Sequence, residues 1–242
     1  MNKIICKNLE EMSLVAAAAV AAQIWQKPAS ALGLATGQTP FGLYMNLAKM
    51  SAAGDLSFAN TVAFNLNEYY PLKRDNTQSH AYYLWKNLFA HVDIAKENIH
   101  LLDGEAPEAV RECAYYDGLV DEVGGLDLQI LTLRENGHIS LGEPHDFLRL
   151  STHVTPLSPE AVEANTRVFV NEADMPRHAL TLGLKAIFGA KHILLLAAGE
   201  SRAQAVKRLF TDCVSMQTPA SLLALHPRVT VVLDRAAAKY LS

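Results

Sequence analysis

Short apolar runs alternate with longer helical patterns along most of this chain, and this alternation limits the possible folds more than any other feature. The apolar runs that indicate strands are 31–36, 61–66, 126–133, 192–198 and 228–234. The segments that indicate helices are 9–25, 40–52, 78–90, 107–122, 201–210 and 219–225. Strands that are apolar on both faces are typical of a parallel sheet covered by helices on both sides. The sequence therefore predicts an α/β fold with a mostly parallel sheet.

The chain has no sequence feature that marks an internal boundary. It contains no repeat, no low-complexity tract and no proline-rich linker. The segment 178–191 is predicted to be a short strand followed by a helical turn that ends at Gly189, a residue suited to a helix stop. A length of 242 residues is enough for a complete core, so we expect one domain, 1–242.

Composition excludes several classes of protein. Half of the residues are hydrophobic, 19% are charged and the net charge is −4, values typical of an ordinary globular protein. No basic stripe indicates nucleic acid as a partner. The alanine-rich segment near the N-terminus lacks the basic start of a signal peptide, and it is short of the ~20 strongly apolar residues of a spanning helix. We therefore expect a cytoplasmic protein that does not contact a membrane.

The three cysteines, Cys6, Cys113 and Cys213, are far apart and outside any CxxC pattern. They indicate reduced thiols rather than a disulfide framework or a zinc site. No His, Asp and Glu cluster has metal-ligand spacing. The sequence predicts neither a metal nor a cofactor.

Polar residues follow four of the predicted strands, and the carboxyl ends of parallel strands share one edge of a sheet. The first group is "TGQTP", Thr36 to Pro40. Its glycine and hydroxyls can surround an anion at the N-terminus of the next helix. A plain strand-to-helix turn capped by Thr39 is an equally good interpretation of the motif alone. No Lys follows the glycine, so a nucleotide-binding P-loop is not indicated.

Two arginines have contexts that favour an anionic partner. Arg202 lies in the first turn of the helix after Gly199, where the helix dipole disfavours a cation unless a negative group is near. Arg167 falls within an apolar segment, and a half-buried guanidinium favours a bidentate anion. Taken alone, a solvated arginine is the more common explanation of Arg202.

The loop "ENGHISLGEP" combines Asn136, His138 and Glu143. An imidazole between an amide and a carboxylate has a fixed tautomer and raised basicity, which suits a general acid or base. The alternative is a loop histidine with a surface neighbour. The other histidines, including His80, His91, His145 and His226, have no such grouping and are interpreted as structural.

Six blocks together carry a resemblance to a known family: "LGLATGQTP", "FNLNEYY", "QSHAYYLWKNLF", "ENGHISLGEP", "EANTRVF" and "PASLLALHP". In order and spacing the chain resembles the glucosamine-6-phosphate deaminases, most closely their shorter bacterial members. The wider superfamily also contains 6-phosphogluconolactonases and sugar-phosphate-sensing domains, so the fold alone does not decide the activity.

The resemblance implies a modified Rossmann-like, doubly wound sheet and an enzyme that opens the ring of an amino-sugar 6-phosphate, isomerises the aldose to a ketose and releases ammonia. The partner it implies is a small-molecule sugar phosphate, and we expect a monomer or a small homo-oligomer. The residues implied to hold the phosphate are Gly37, Gln38, Thr39, Arg167 and Arg202. The residues implied to open the ring are Asn136, His138 and Glu143.

The chain departs from the family at the reacting end of the site. Asn67 stands where the family has an Asp that carries the proton between C2 and C1 of the sugar. An amide has no useful basicity near pH 7, and losing a positioned base typically costs ~10²–10⁴ in rate. Glu68 is a possible substitute, although adjacent strand residues point to opposite faces. Thr132 and Arg134 replace family glycines, and Gly142 replaces an Asn.

Three hypotheses follow. The first is an isomerase/deaminase of glucosamine 6-phosphate or galactosamine 6-phosphate, for which Asn67 is a catalytic position. The second is a catalytically impaired sugar-phosphate-binding or sensor protein. The third is a 6-phosphogluconolactonase-like hydrolase, which needs no proton transfer between two carbons.

Overall fold

The computed structural model describes residues 1–139, 148–158, 162, 169 and 175–241. Within them the strands are β1 (Asn2–Cys6), β2 (Ala31–Leu34), β3 (Val62–Asn65), β4 (Asn67–Tyr70), β5 (Ile99–His100), β6 (Leu128–Thr132), β7 (His153–Pro156), β8 (His178–Thr181), β9 (Ile193–Ala197) and β10 (Val229–Asp234). The main sheet has the order β1-β10-β9-β6-β2-β3-β5, and all its strand pairs are parallel. The chain runs outward from β2 in both directions, which is the pattern of a doubly wound α/β fold.

The described α-helices are α1 (Leu9–Gln26), α2 (Gln38–Ala52), α3 (His80–Asn87), α4 (Ala109–Glu122), α5 (Leu184–Gly189) and α6 (Ala203–Leu209). Side-chain caps define two of their starts: Asn8 Oδ1 accepts the N–H of Glu11 before α1, and Ser79 Oγ accepts the N–H of Tyr82 before α3, each at 2.9 Å. The helix α1 packs against α2 and against β10. No helix among the described residues is long and apolar enough to cross a membrane.

The predicted strands and helices are confirmed, with ends that differ by a few residues, and so is the strand and helical turn of 178–191. The segment Pro219–Leu225 forms a 3₁₀-helix. The strand β1 was missed because it lies at the sheet edge with three of its five residues exposed, so it lacks a continuous apolar run. All five residues of β9, in the middle of the sheet, are buried, and the apolar pattern found that strand.

A second sheet, antiparallel with the order β4-β8-β7, was not predicted. Leu66 links the two sheets, because its N–H donates to the Leu34 carbonyl at 3.0 Å and its carbonyl accepts from Leu182 N–H at 2.9 Å. The chain therefore leaves the main sheet at Leu66 and enters the second sheet at Asn67. This step brings Asn67 and Glu68 to the carboxyl edge of the main sheet in a strand of their own.

The opposite edge of the main sheet contains an ion-pair cluster around the buried carboxylate of Asp127. The Asp127 carboxylate accepts from Lys27 Nζ at 2.7 Å, from Lys191 Nζ at 2.8 Å and from the Ala31 N–H at 2.9 Å. Burial acts to raise the pKa of Asp127, but these hydrogen bonds and the Lys27 charge outweigh it, so the pKa is lowered from its ordinary value of 3.8. The cluster stabilises the start of β2 and β6.

Candidate active site

A cleft of about 670 Å³ lies at the carboxyl edge of the main sheet. It is lined by 35–39 after β2, by Leu66, Asn67 and Tyr69 after β3, by 132–136 and Ile139 at and after β6, by Arg202 after β9, and by His80 at the start of α3. The strands β2 and β6 are the neighbours between which the strand order reverses. Open α/β sheets bind ligands at this switch point, and the predicted convergence of polar residues is confirmed.

The loop Thr36–Thr39 presents a helix N-terminus to the cleft. Gly37 is the N-cap residue of α2, with φ 109° and ψ −173°, a conformation that glycine adopts at low cost. No side chain caps this end of α2, so the interpretation of Thr39 as the cap is wrong. The first N–H groups of a helix lack intrahelical partners and carry partial positive charge, so they can bind an anion.

Two tyrosine hydroxyls fix the backbone of the same loop. Tyr44 Oη donates to the Ala35 carbonyl at 2.5 Å, and Tyr83 Oη donates to the Gly37 carbonyl at 2.6 Å. The two rings contact each other edge to face, with centroids 6.3 Å apart. These two hydrogen bonds, from tyrosines of α2 and α3, restrain the backbone of the loop.

Arg202, in the 3₁₀ turn Glu200–Arg202, lines the same cleft as this helix N-terminus. Its Nη1 donates to Ser201 Oγ at 2.8 Å and lies 3.7 Å from a carboxylate oxygen of Glu135, which is itself largely exposed. Its Nε is buried and finds no hydrogen-bond partner among the described residues. A buried guanidinium N–H that lacks an acceptor is costly, so this arginine is suited to receive an anion.

The loop after β6 is a tight turn that carries Asn136 and His138. The Arg134 N–H donates to the His138 carbonyl at 2.9 Å, and Gly137 has φ 87°, which closes the turn. Asn136 Oδ1 accepts the backbone N–H of His138 at 3.2 Å. Asn136 lines the cleft, whereas the His138 side chain is 2% exposed and is not one of the lining residues.

Asn67 lines the cleft at the start of β4. Its backbone carbonyl accepts two side-chain hydrogen bonds, from Asn65 Nδ2 at 3.0 Å and from His80 Nδ1 at 2.9 Å. Asn65 is itself fixed, because its Oδ1 accepts from the Leu102 N–H and from Tyr116 Oη. The side-chain amide of Asn67 makes no hydrogen bond with a described residue, so it is available to a ligand in the cleft.

The Glu68 carboxylate is buried and bound to the start of α3. It is 1% exposed, and it accepts from the N–H groups of Tyr69, His80 and Ala81 at 2.8–2.9 Å. A carboxylate at a helix N-terminus satisfies otherwise unpaired N–H groups and interacts favourably with the helix dipole. Glu68 is therefore a capping residue, and the hypothesis that it replaces the missing base loses its support.

His80 is the histidine that lines the cleft, although the sequence interpretation left it as a structural residue. Its ring contacts the Tyr69 ring edge to face, with centroids 4.8 Å apart. Burial is the largest influence on the pKa of His80 and lowers it, and the Arg134 charge acts in the same direction. The Glu68 charge and the hydrogen bond to Asn67 raise the pKa, but the net shift is downward from 6.5. The imidazole is therefore neutral near pH 7.

The structure brings together most of the predicted site. The residues that line one cleft are Gly37, Gln38, Thr39, Asn67, Asn136 and Arg202, and His138 directly precedes the lining residue Ile139 in the chain. Glu143 and Arg167 lie outside the described residues. The sequence interpretation missed His80: the Ser79 cap marks it as the first residue of a helix, but no local signal shows that this helix begins beside the Asn67 strand.

Fold and cleft together define an α/β protein with a polar ligand cleft at the switch point of a doubly wound sheet. A family model described as glucosamine-6-phosphate isomerases/6-phosphogluconolactonase matches residues 7–232. The chain therefore belongs to this family.

Two curated relatives are similar over at least 94% of their length. The glucosamine-6-phosphate deaminase of Thermoanaerobacter pseudethanolicus is 43% identical over 238 residues, which cover 98% of this chain and 94% of the relative. The glucosamine-6-phosphate deaminase of Halothermothrix orenii is 43% identical over 241 residues, with 100% of both chains covered.

Solved structures agree with the fold. A monomeric glucosamine-6-phosphate deaminase is 39% identical and matches with a TM-score of 0.94 over 99% of each chain. The 6-phosphogluconolactonase from Leishmania guyanensis matches with a TM-score of 0.77 over 100% of this chain and 98% of that one, at 21% identity. The second likeness shows a shared fold only.

Proposed function

We propose that this chain is a cytoplasmic amino-sugar-phosphate isomerase/deaminase that acts on glucosamine 6-phosphate or galactosamine 6-phosphate. The reaction opens the sugar ring, converts the aldose to a ketose and releases ammonia by hydrolysis. The observation that carries the proposal is that one cleft is lined both by the α2 N-terminus and Arg202 and by Asn67, His80 and Asn136. Its volume of about 670 Å³ suits a small ligand.

The phosphate of the substrate is assigned to the end of the cleft that carries positive charge. The Gly37, Gln38 and Thr39 backbone supplies N–H groups at a helix N-terminus, and Arg202 supplies a guanidinium with an unpaired N–H. This orientation places the sugar carbons toward Asn67. The nearly full-length similarity to two proteins named glucosamine-6-phosphate deaminase supports the same substrate class.

One observation favours a second candidate function. The amide of Asn67 cannot act as a base, so a protein that binds sugar phosphates without converting them is the alternative. It predicts that a sugar phosphate raises the melting temperature while no ammonia is released.

The deciding experiment measures ammonia release from glucosamine 6-phosphate and galactosamine 6-phosphate by the wild type and by Asn67→Asp, side by side. Turnover by the wild type supports the proposed function and requires a base other than residue 67. Turnover only by Asn67→Asp supports the binding protein. Ligand stabilisation with 6-phosphogluconolactone hydrolysis as the only activity would overturn both and leave the lactonase-like hydrolase.

A further inference from the structure

The hydrogen bonds of His80 determine which of its nitrogens is free. Nδ1 lies 2.9 Å from the Asn67 carbonyl oxygen. A carbonyl only accepts hydrogen bonds, so Nδ1 carries the hydrogen and donates it. In the neutral ring Nε2 then holds the lone pair, and it makes no hydrogen bond within the part of the chain that the structure describes. His80 therefore offers an unprotonated nitrogen on a side chain that lines the cleft.

The position of this ring is fixed from two directions. The Glu68 carboxylate binds the His80 N–H at 2.9 Å and the Ala81 N–H at 2.8 Å, which holds the first turn of α3 against β4. The Asn67 carbonyl that receives Nδ1–H is also held by Asn65 Nδ2 at 3.0 Å. A catalytic base needs this kind of support, since a misplaced group loses most of its rate advantage.

The groups around the ring leave it unprotonated near neutral pH. Tyr69 packs against one side of the imidazole, Glu68 caps the helix on which it sits, and the Arg134 guanidinium comes from the loop after β6. Burial is the largest influence and lowers the pKa, and Arg134 adds to that effect, while Glu68 and the Asn67 carbonyl oppose it. An unprotonated imidazole nitrogen can accept a proton, as a general base must.

We propose that His80 Nε2 is the base that carries the proton between C2 and C1 of the ring-opened amino-sugar phosphate, a role that the Asn67 amide cannot fill. This inference rests on the proposed function and names the group that performs its central step. It assigns a catalytic role to a histidine whose sequence context gave no such indication.

The step balances with water as its only co-reactant. Nε2 takes the proton from C2, the C2–H electron pair becomes the C1=C2 bond, and the aldehyde oxygen takes a proton from water. The imidazolium then returns its proton to C1, and the nitrogen lone pair forms an iminium at C2. Water adds to that iminium and ammonia leaves, and the proton lost in this hydrolysis neutralises the hydroxide formed when water protonated the aldehyde oxygen. The ketose phosphate is released and Nε2 is unprotonated again. Throughout these steps, Nδ1–H of His80 remains hydrogen-bonded to the Asn67 carbonyl.

The test compares five proteins in one assay: the wild type, His80→Gln, His80→Ala, the double variant Asn67→Asp/His80→Gln, and the control His91→Gln. His91 is an exposed histidine whose ring binds the Lys86 carbonyl away from the cleft. Ammonia release and deuterium incorporation at C1 of the product in D₂O are measured with both amino-sugar phosphates. A thermal melt of each protein with and without substrate reports folding and binding.

Loss of the base should lower kcat of His80→Gln by ~10²–10⁴ and leave substrate stabilisation in place, because the phosphate is bound elsewhere. His91→Gln should match the wild type. The double variant has a carboxylate at residue 67 that can act as the base, so it should regain deuterium incorporation at C1. Free imidazole added to His80→Ala should also restore turnover, which covers the case of a poorly folded glutamine variant.

The outcomes separate the two proposals. An active wild type with a His80→Gln variant of equal kcat overturns the role of His80 and leaves the proposed function intact. A loss of activity that neither Asn67→Asp nor imidazole reverses also overturns it, because His80 would then act through the structure alone. An inactive wild type overturns the proposed function itself, and the inference with it.

Discussion

The Glu68 cap offers a direct test of how the site is held together. Replacing Glu68 with Gln keeps the size and shape of the side chain and removes its charge. In the wild type, Oε1 of the carboxylate accepts the N–H groups of Tyr69 and His80, and Oε2 accepts the Ala81 N–H at 2.8 Å. In the variant one of these oxygens becomes an NH₂ group, which cannot accept a hydrogen bond.

The magnitude follows from those contacts. If the amide oxygen keeps the two N–H groups, the Ala81 N–H faces a donor and loses its partner in a buried site, which costs about 1–3 kcal/mol. Loss of the negative charge at the α3 N-terminus adds about 0.3–1 kcal/mol. The free energy of unfolding should therefore fall by about 1–4 kcal/mol, which lowers Tm by roughly 2–16 °C in a chain of this size.

Urea denaturation of wild type and Glu68→Gln, followed by circular dichroism, measures the change. Glu97→Gln is the matched control, since Glu97 is exposed in a short 3₁₀-helix and should change stability by less than about 0.5 kcal/mol. Because Glu68 positions the His80 backbone, kcat should fall in Glu68→Gln while substrate stabilisation persists. A Glu68→Gln variant as stable as the control would refute the capping argument.

Three further predictions concern other parts of the chain. Asp127→Asn should lower the free energy of unfolding at pH 7 by about 1–3 kcal/mol. Because folding lowers the pKa of Asp127, the contribution of its carboxylate is present above pH 3.8 and is lost as the pH falls through the folded pKa. The urea midpoints of variant and wild type should therefore converge in acid. Gly37→Ala and Gly54→Ala both place alanine at positive φ and should each cost about 1–2 kcal/mol in thermal unfolding, but Gly37→Ala alone should weaken phosphate binding by calorimetry. Arg202→Met should weaken sugar-phosphate binding about 10–100-fold, the equivalent of about 1.5–3 kcal/mol, with partial recovery in Arg202→Lys.

The residues that follow buried strands were predictable because a local pattern determines them. The run that ends at Leu34 is apolar on both faces, and the glycine and proline after it fit a strand-to-helix turn, so the place of Thr36–Thr39 followed from the sequence. The same reasoning put Arg202 beside the loop after β6. The predicted helix 107–122 corresponds to α4, whose ends differ from the prediction by two residues at most.

His80 and the second sheet could not be predicted in this way because long-range contacts determine them. The strand β4 combines Asn67 and Glu68 with two aromatic residues, and its strand character comes from pairing with β8, more than 100 residues later in the chain. His80 reaches the cleft only because Glu68 anchors the start of α3 to that strand. A local pattern contains neither contact, so the histidine in the sequence seemed isolated.

The neutral residue at position 67 is consistent with a histidine base next to it. A carboxylate on the Asn67 side chain would add a negative charge close to the imidazole, favour the imidazolium and raise the pKa of His80. A larger fraction of the His80 imidazole would then be protonated in the free enzyme. With an amide at position 67, burial lowers the pKa of His80 instead, and the Arg134 charge adds to that effect. Asn67→Asp in a chain that keeps His80 should therefore move the acid limb of the kcat/KM profile to higher pH, whereas Asn67→Asp/His80→Gln should move it to lower pH. An acid limb of Asn67→Asp that stays where the wild type has it would mean that the two side chains do not interact.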